Sequence, residues 1–367
     1  MENNKMIEMA RILVAHSLEV KPDQWIMLAG GVPAIPLINE IAKQILQAGA
    51  QYDLVLDSDI LSRTYLEEAT HDQLKMVSSA DRYRFEHIDG IIYVAAVENT
   101  RYLSGIDPER QKQNSMARNE LLKIRNRRVE KGQMNWVYTE FPCVAYAQDA
   151  DMSLEVFENF VYSACYADSP GGVERCRYEY QQDDQYAAMM NDHDVLTVRG
   201  PNVDLSLSVK GRKFINTAGR RNIPDGEIFT GPVESSVNGW IRFSFPAIYG
   251  GREVDKIEFQ FKDGLVVSAT AAKNNDFLQA MLGTDSGARF LGEFAIGTNY
   301  RIDRFTKRIL YDEKMGGTIH LAIGNGYPET GSRNVSAIHW DFICDMHQES
   351  EIRADGEVVY CEGKFLH

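Results

Sequence analysis

Asp312-Glu-Lys-Met-Gly-Gly-Thr-Ile-His320-Leu-Ala-Ile-Gly-Asn-Gly-Tyr327, followed by Asn334-Val-Ser-Ala-Ile-His339-Trp-Asp341-Phe-Ile343, is the stretch that decides how this chain reads. It predicts two strands joined by a Gly-rich connection. Side chains alternate between the faces of a strand, so residues two apart point the same way. In the first strand Thr318, His320 and Ala322 share one face, and Ile319, Leu321 and Ile323 the other. In the second, His339 and Asp341 oppose Ile338, Trp340 and Phe342. Two imidazoles and a carboxylate therefore project from strands whose reverse sides are apolar enough to anchor in a core. Nitrogen and oxygen donors on rigid strands suit a borderline or hard divalent cation. The expectation is a metal site.

Three glutamates extend the donor set. Glu227 lies in Pro224-Asp-Gly-Glu-Ile-Phe-Thr-Gly-Pro232, just after a turn and before Ile228 and Phe229. Glu293 is the one charge in Phe290-Leu-Gly-Glu-Phe-Ala-Ile-Gly297. A lone carboxylate in such an apolar run costs several kcal/mol unless it is paired, hydrogen-bonded or bound to a metal. Glu313 precedes His320 by a few residues. Together these residues are enough for two ions sharing a carboxylate, roughly 3.5–4 Å apart. Blander roles exist for each. Glu293 can pair with Arg289, Glu227 can cap a turn, and Glu313 can be solvated. Tyr327 is either an ordinary core tyrosine or, beside His320, a hydrogen-bond donor to a reacting oxygen. Cys344 and His347 lack a partner pair and read as packing and surface residues. No GxSxG or Cys-His signature points to covalent catalysis.

Outward from this stretch, Val195–Val198, Val203–Val209 and Lys256–Phe261 alternate as strands, interrupted by one helix over Asn275–Leu282. The second half is expected to be α+β, mainly antiparallel sheet. The first half changes period. Helices are expected over Met6–Leu18, Pro33–Leu46, Gln111–Val129 and Ser153–Cys165, with a further one through Tyr186. Short apolar strands are expected at Trp25–Ala29, Tyr52–Leu56, Ile91–Ala95 and Trp136–Thr139. Strands alternating with helices imply an α/β domain with a mostly parallel, doubly wound sheet. The boundary is placed after residue 185, giving domains 1–185 and 186–367. Gly30-Gly31 follows a strand, but no full GxGxxG or GK[ST] accompanies it, so it reads as a turn rather than a phosphate cradle.

The 367 residues carry a formal charge of −14. That balance argues against nucleic acid or an anionic membrane as partner, because both need a basic footprint. No apolar run reaches spanning length, and the N-terminal residues lack the apolar segment of a signal peptide. Five cysteines without a repeated CxxC fit a reducing compartment. The expected location is the cytoplasm.

The Pro224–Pro232, Leu291–Gly297, Glu313–Gly324 and Asn334–Phe342 motifs, in that order, resemble the M29 metallopeptidases, the thermophilic aminopeptidase family. The likeness runs over nearly the whole chain. It implies an α/β N-terminal domain, a C-terminal catalytic domain and a dinuclear site of zinc, cobalt or manganese. Carried over, the ligands are Glu227, Glu293, Glu313, His320, His339 and Asp341, with Glu293 the bridge and Tyr327 a catalytic contact. The implied enzyme is a homodimer that removes the N-terminal residue of peptides with a free amine, using metal-activated water. Two departures stand out. The His320–His339 segment is shorter than in the family's well-known members, and Glu313 stands farther from its histidine. The same superfamily resembles a mononuclear iron dioxygenase that opens dihydroxypyridine rings, whose triad His320, His339 and Asp341 would imitate. Glu227 and Glu293 argue for two ions and hydrolysis.

Overall fold

The computed structural model describes residues 2–366. It divides into two compact units, one running to Arg177 and including Gly219–Pro224, the other formed by Tyr178–Ala218 and the chain from Asp225 onward. The division falls inside the helix Gly172–Met190, which also contains residue 185.

The first unit is built on a five-stranded, all-parallel sheet. Its order is Gln51–Asp57, Trp25–Gly31, Gly90–Ala95, Asn135–Glu140 and Asn222–Ile223. The last strand comes from far along the chain and is only two residues long, too short to show a period. The amphipathic segment expected over Met6–Leu18 forms, but only Glu2–Arg11 is α-helical; Ile12–Ser17 widens into a π-helix. Gly30 and Gly31 belong to their strand. A Cβ on Gly31 would lie 1.9 Å from the Ala96 carbonyl oxygen, and one on Gly30 2.4 Å from that of Val94. The pair lets the neighbouring strand end close against it, which accounts for both glycines without a phosphate. Three helices escape the apolar period: Asp59–Glu68, His71–Leu74 and Ser79–His87. Each starts at a hydroxyl cap, from Ser58, Thr70 and Ser78 respectively.

The second unit holds two larger sheets. An eight-stranded antiparallel sheet runs Leu265–Thr270, Glu258–Lys262, Asn238–Arg242, Val203–Ser208, Val195–Gly200, Glu351–Ala354, Glu357–Cys361 and Lys364–Phe365. A four-stranded antiparallel sheet has the order His339–Asp345, Thr318–Gly324, Leu291–Gly297 and Glu227–Thr230. One face of the four-stranded sheet, with Ile228, Phe294, Ile296, Ile319, Leu321, Ile323, Trp340 and Phe342, joins Leu196, Val198, Leu205, Ile241 and Phe259 of the larger sheet in one core. Removing this apolar surface from water fixes the face on which the alternate residues must stand.

A buried acid in this unit makes stability depend on pH. Burial pushes the Asp183 carboxyl from the ordinary 3.8 up to about 7; Thr298 opposes the shift, and Asp225, Glu179 and Asp184 add to it. Between those values the native chain holds a proton that the unfolded chain has released. Stability therefore falls as pH rises from about 4 to about 7 and stays reduced above. Asp183→Asn is expected to raise the melting temperature by several degrees at pH 8 and to leave it nearly unchanged at pH 4. Calorimetry at the two pH values checks this, and an equal shift at both would contradict it.

Candidate metal centre

The register of the four-stranded sheet assembles the donors. Ala322 is paired with Glu293 on one side and Asp341 on the other. His320 lies opposite Ala295, Gly324 opposite His339, and Gly297 opposite Glu227. All these residues share the face away from the core, and small residues among them leave room for the long ones. A bulge at Gly292 resets the register just before Glu293. A Cβ there would lie 2.5 Å from the Gly324 carbonyl oxygen, so only glycine permits that approach. Bulges beside functional residues re-aim a side chain in this way.

Two donors arrive from outside the strands. Glu313 closes the short helix Ile309–Asp312, and the turn after it folds onto the ligand face. Gly297 makes this possible, since a Cβ there would lie 2.1 Å from the Met315 carbonyl oxygen. The turn is held by hydrogen bonds from Asn299 N to the Lys314 carbonyl and from Gly316 N to the Asn299 carbonyl, both 3.0 Å. Tyr327 follows the strand and stands between two rings, 5.2 Å from Phe229 and 5.1 Å from His339, centroid to centroid.

Donor atoms fall into three overlapping groups, each with atoms within 4.8 Å of one another: Glu227, Glu293 and His320; Glu293, His339 and Asp341; and Glu313, His320 and Asp341. The Glu293 carboxylate faces both imidazoles, Oε1 3.9 Å from His320 Nε2 and Oε2 3.2 Å from His339 Nε2. Glu227 Oε2 lies 3.3 Å from His320 Nε2, and Asp341 Oδ1 3.4 Å from His339 Nε2. Glu227 Oε2 and Asp341 Oδ1 are nevertheless buried without a hydrogen bond. Donors about 2.0–2.2 Å from one tetrahedral zinc lie about 3.3–3.6 Å apart. Close approach without hydrogen bonding therefore fits donors that converge on a third point between them, and the residues present suit a divalent cation.

Electrostatics point the same way. Burial lowers the basicity of His339, but Asp341 and then Glu293 more than reverse this and push it up to about 12. The position at Nε2 thus strongly favours a positive charge, whether proton or metal ion. His339 Nδ1 lies 2.8 Å from the Asn325 carbonyl oxygen; donating there leaves the Nε2 lone pair free. Burial pushes Glu227 well above the usual carboxylate range, with Lys314 opposing. Burial pushes Asp341 up, but His339, with His320 and Lys314 adding, holds it below its usual value.

All six expected ligands and Tyr327 are thus brought to one place. Arg289 donates to the Val266 carbonyl, 3.2 Å away, rather than to Glu293. Cys344 is buried, and His347 pairs with Asp345. Sequence reasoning missed Lys314, whose ammonium lies among the acids, 3.3 Å from Glu227 Oε1 and in contact with Glu313. In an Asp-Glu-Lys run it reads as a solvated charge.

A cluster of carboxylates and imidazoles on a rigid sheet face is the donor set that a divalent metal ion would take. The model of the thermophilic metalloprotease (M29) family matches residues 2–365. The chain belongs to that family and is a hydrolase of the metalloaminopeptidase class. Among its relatives, Aminopeptidase 2 of Geobacillus stearothermophilus is 26% identical, covering 95% of this chain and 92% of that one. Aminopeptidase T of Thermus thermophilus is 24% identical, covering 88% and 85%. The solved structure of wild-type AmpT from Thermus thermophilus superposes with a TM-score of 0.86 at 20% identity, covering 99% of both chains. The structure of 2,5-dihydroxypyridine dioxygenase from Pseudomonas putida KT2440 does so at 0.60 and 14% identity, covering 99% and 97%. These two show that the fold is shared.

Proposed function

We propose that this protein removes the N-terminal residue from peptides using two divalent ions, zinc, cobalt or manganese. Glu293 would bridge them. Glu227 and His320, with Glu313, would hold one ion, and His339 and Asp341 the other. The observation that carries this reading is the Glu293 carboxylate, which turns one oxygen towards each histidine. The names of the relatives support the exopeptidase part. Bound ions would supply an activated water and polarise the scissile carbonyl.

This chain's own residues do the rest. A free α-amine would bind the second ion or one of the acidic side chains, a contact that a blocked N-terminus cannot make. Tyr327, whose hydroxyl lies 3.4 Å from His339 Nε2, would donate a hydrogen bond to the oxyanion formed at the carbonyl. Burial, then the Glu293 and Asp341 charges, push its ionisation far up, so the phenol keeps its proton at any working pH. His320, His339 and Asp341 alone would serve a mononuclear iron oxygenase; Glu227 and Glu293 beside them favour hydrolysis.

The same reading takes the protein to be a cytoplasmic homodimer. None of its five cysteines is in a disulfide, in keeping with a reducing compartment. Among the described residues no helix is long and apolar enough to cross a membrane. The family resemblance supports the dimer. The exopeptidase assignment is tested with a leucyl dipeptide and its N-acetylated counterpart. The free-amine peptide is expected to be cleaved at least about a hundredfold faster, corresponding to roughly 2.7 kcal/mol. Equal rates would contradict an aminopeptidase.

A further inference from the structure

One cation is built into the cluster, and hydrolysis as described leaves it without a role. Lys314 has no exposed surface. Its ammonium contacts one oxygen of Glu313 and lies 3.3 Å from Glu227 Oε1. The other oxygen of Glu227 is the one 3.3 Å from His320 Nε2. Glu313 in turn is grouped with His320 and Asp341. Both partners of Lys314 thus belong to donor groups that contain His320. Among the described residues, no ion pair joins Lys314 to Glu293, His339 or Asp341. The backbone at Lys314 is pinned at both ends: its N–H donates to the Tyr311 carbonyl and its carbonyl accepts from Asn299 N, each at 3.0 Å.

We propose that Lys314 is a positioning residue of the metal centre. Its fixed ammonium ties one oxygen of Glu227 and one of Glu313, so that each turns only its other oxygen towards an ion at His320. This rests on the two-ion reading above. Freed of Lys314, both carboxylates can rotate or meet each other, and the ion at His320 loses two oriented donors. The ion at Glu293, His339 and Asp341 keeps its own. Full burial keeps Lys314 away from substrate, so its influence runs through the two carboxylates. Outer partners that orient metal ligands typically contribute 10–100-fold to metal affinity.

The test is zinc titration of chelator-stripped protein by calorimetry, with metal content measured after gel filtration. Wild type is expected to take up two ions per chain. Lys314→Met keeps the length and removes the charge; it is expected to weaken one binding step by about 10–100-fold and leave the other unchanged. Lys314→Gln still donates hydrogen bonds without the charge, is expected to fall between the two, and serves if the methionine variant does not fold. A purely structural lysine would move both steps alike or neither, and either pattern overturns the inference. Wild type taking up fewer than two ions would instead overturn the two-ion reading, and this inference with it.

Discussion

Glu293→Gln is expected to lower kcat/KM on leucine p-nitroanilide at least about a thousandfold, a loss of roughly 4 kcal/mol of transition-state stabilisation. The reason is its place between two histidines on different strands. An ion at His320 and an ion at His339 would both draw on this one carboxylate, so a neutral amide weakens both. The amide has nearly the same shape and removes a negative charge from a crowded acidic face. Without metal the variant loses the Glu293–His339 pair and is expected to melt slightly lower than metal-free wild type yet still cooperatively, which separates loss of ligation from loss of fold. Ion content by mass spectrometry is expected to fall below two per chain. A variant that keeps two ions and full turnover would rule out a bridge.

Tyr327→Phe has the second largest expected effect. The ring is held by Phe229 on one side and His339 on the other, so phenylalanine should take up the same position. What disappears is one hydroxyl. If that hydroxyl stabilises charge that develops only in the transition state, kcat should fall about 10²–10³-fold while KM and ion content stay nearly constant. Unchanged kcat, or a rise in KM alone, would assign Tyr327 to substrate binding or packing. Because burial and the neighbouring acids keep the phenol protonated, its ionisation should not set the alkaline limb of the pH profile.

The ligand-bearing strands were legible because a strand has only one way to alternate. Ile319, Leu321, Ile323, Trp340 and Phe342 must enter the core, and His320, His339 and Asp341 are then forced onto the opposite face together. Glu293 was legible from the cost of a charge in an apolar run. Lys314 was not, because its burial depends on contacts between segments distant along the chain. Gly297 has to be glycine for the turn carrying Lys314 to settle on the sheet, and nothing near Lys314 records that. The helix Ser79–His87 buries no residue and so has no apolar stripe; its local signals are the Ser78 cap, Asp81 in the first turn and Arg84 and His87 in the last. Asn222–Ile223 pairs with a strand some eighty residues earlier, a choice made by the sheet edge it completes rather than by its own two residues.

Metal bound by this cluster is expected to perform the hydrolysis. The most direct test strips the protein with chelator and restores zinc, cobalt or manganese without oxygen. Amine release from leucine p-nitroanilide is then followed against ions bound per chain. Activity is expected to vanish on stripping and to return as the second ion binds. Failure of every ion to restore hydrolysis, above all if iron instead supported oxygen uptake, would contradict it.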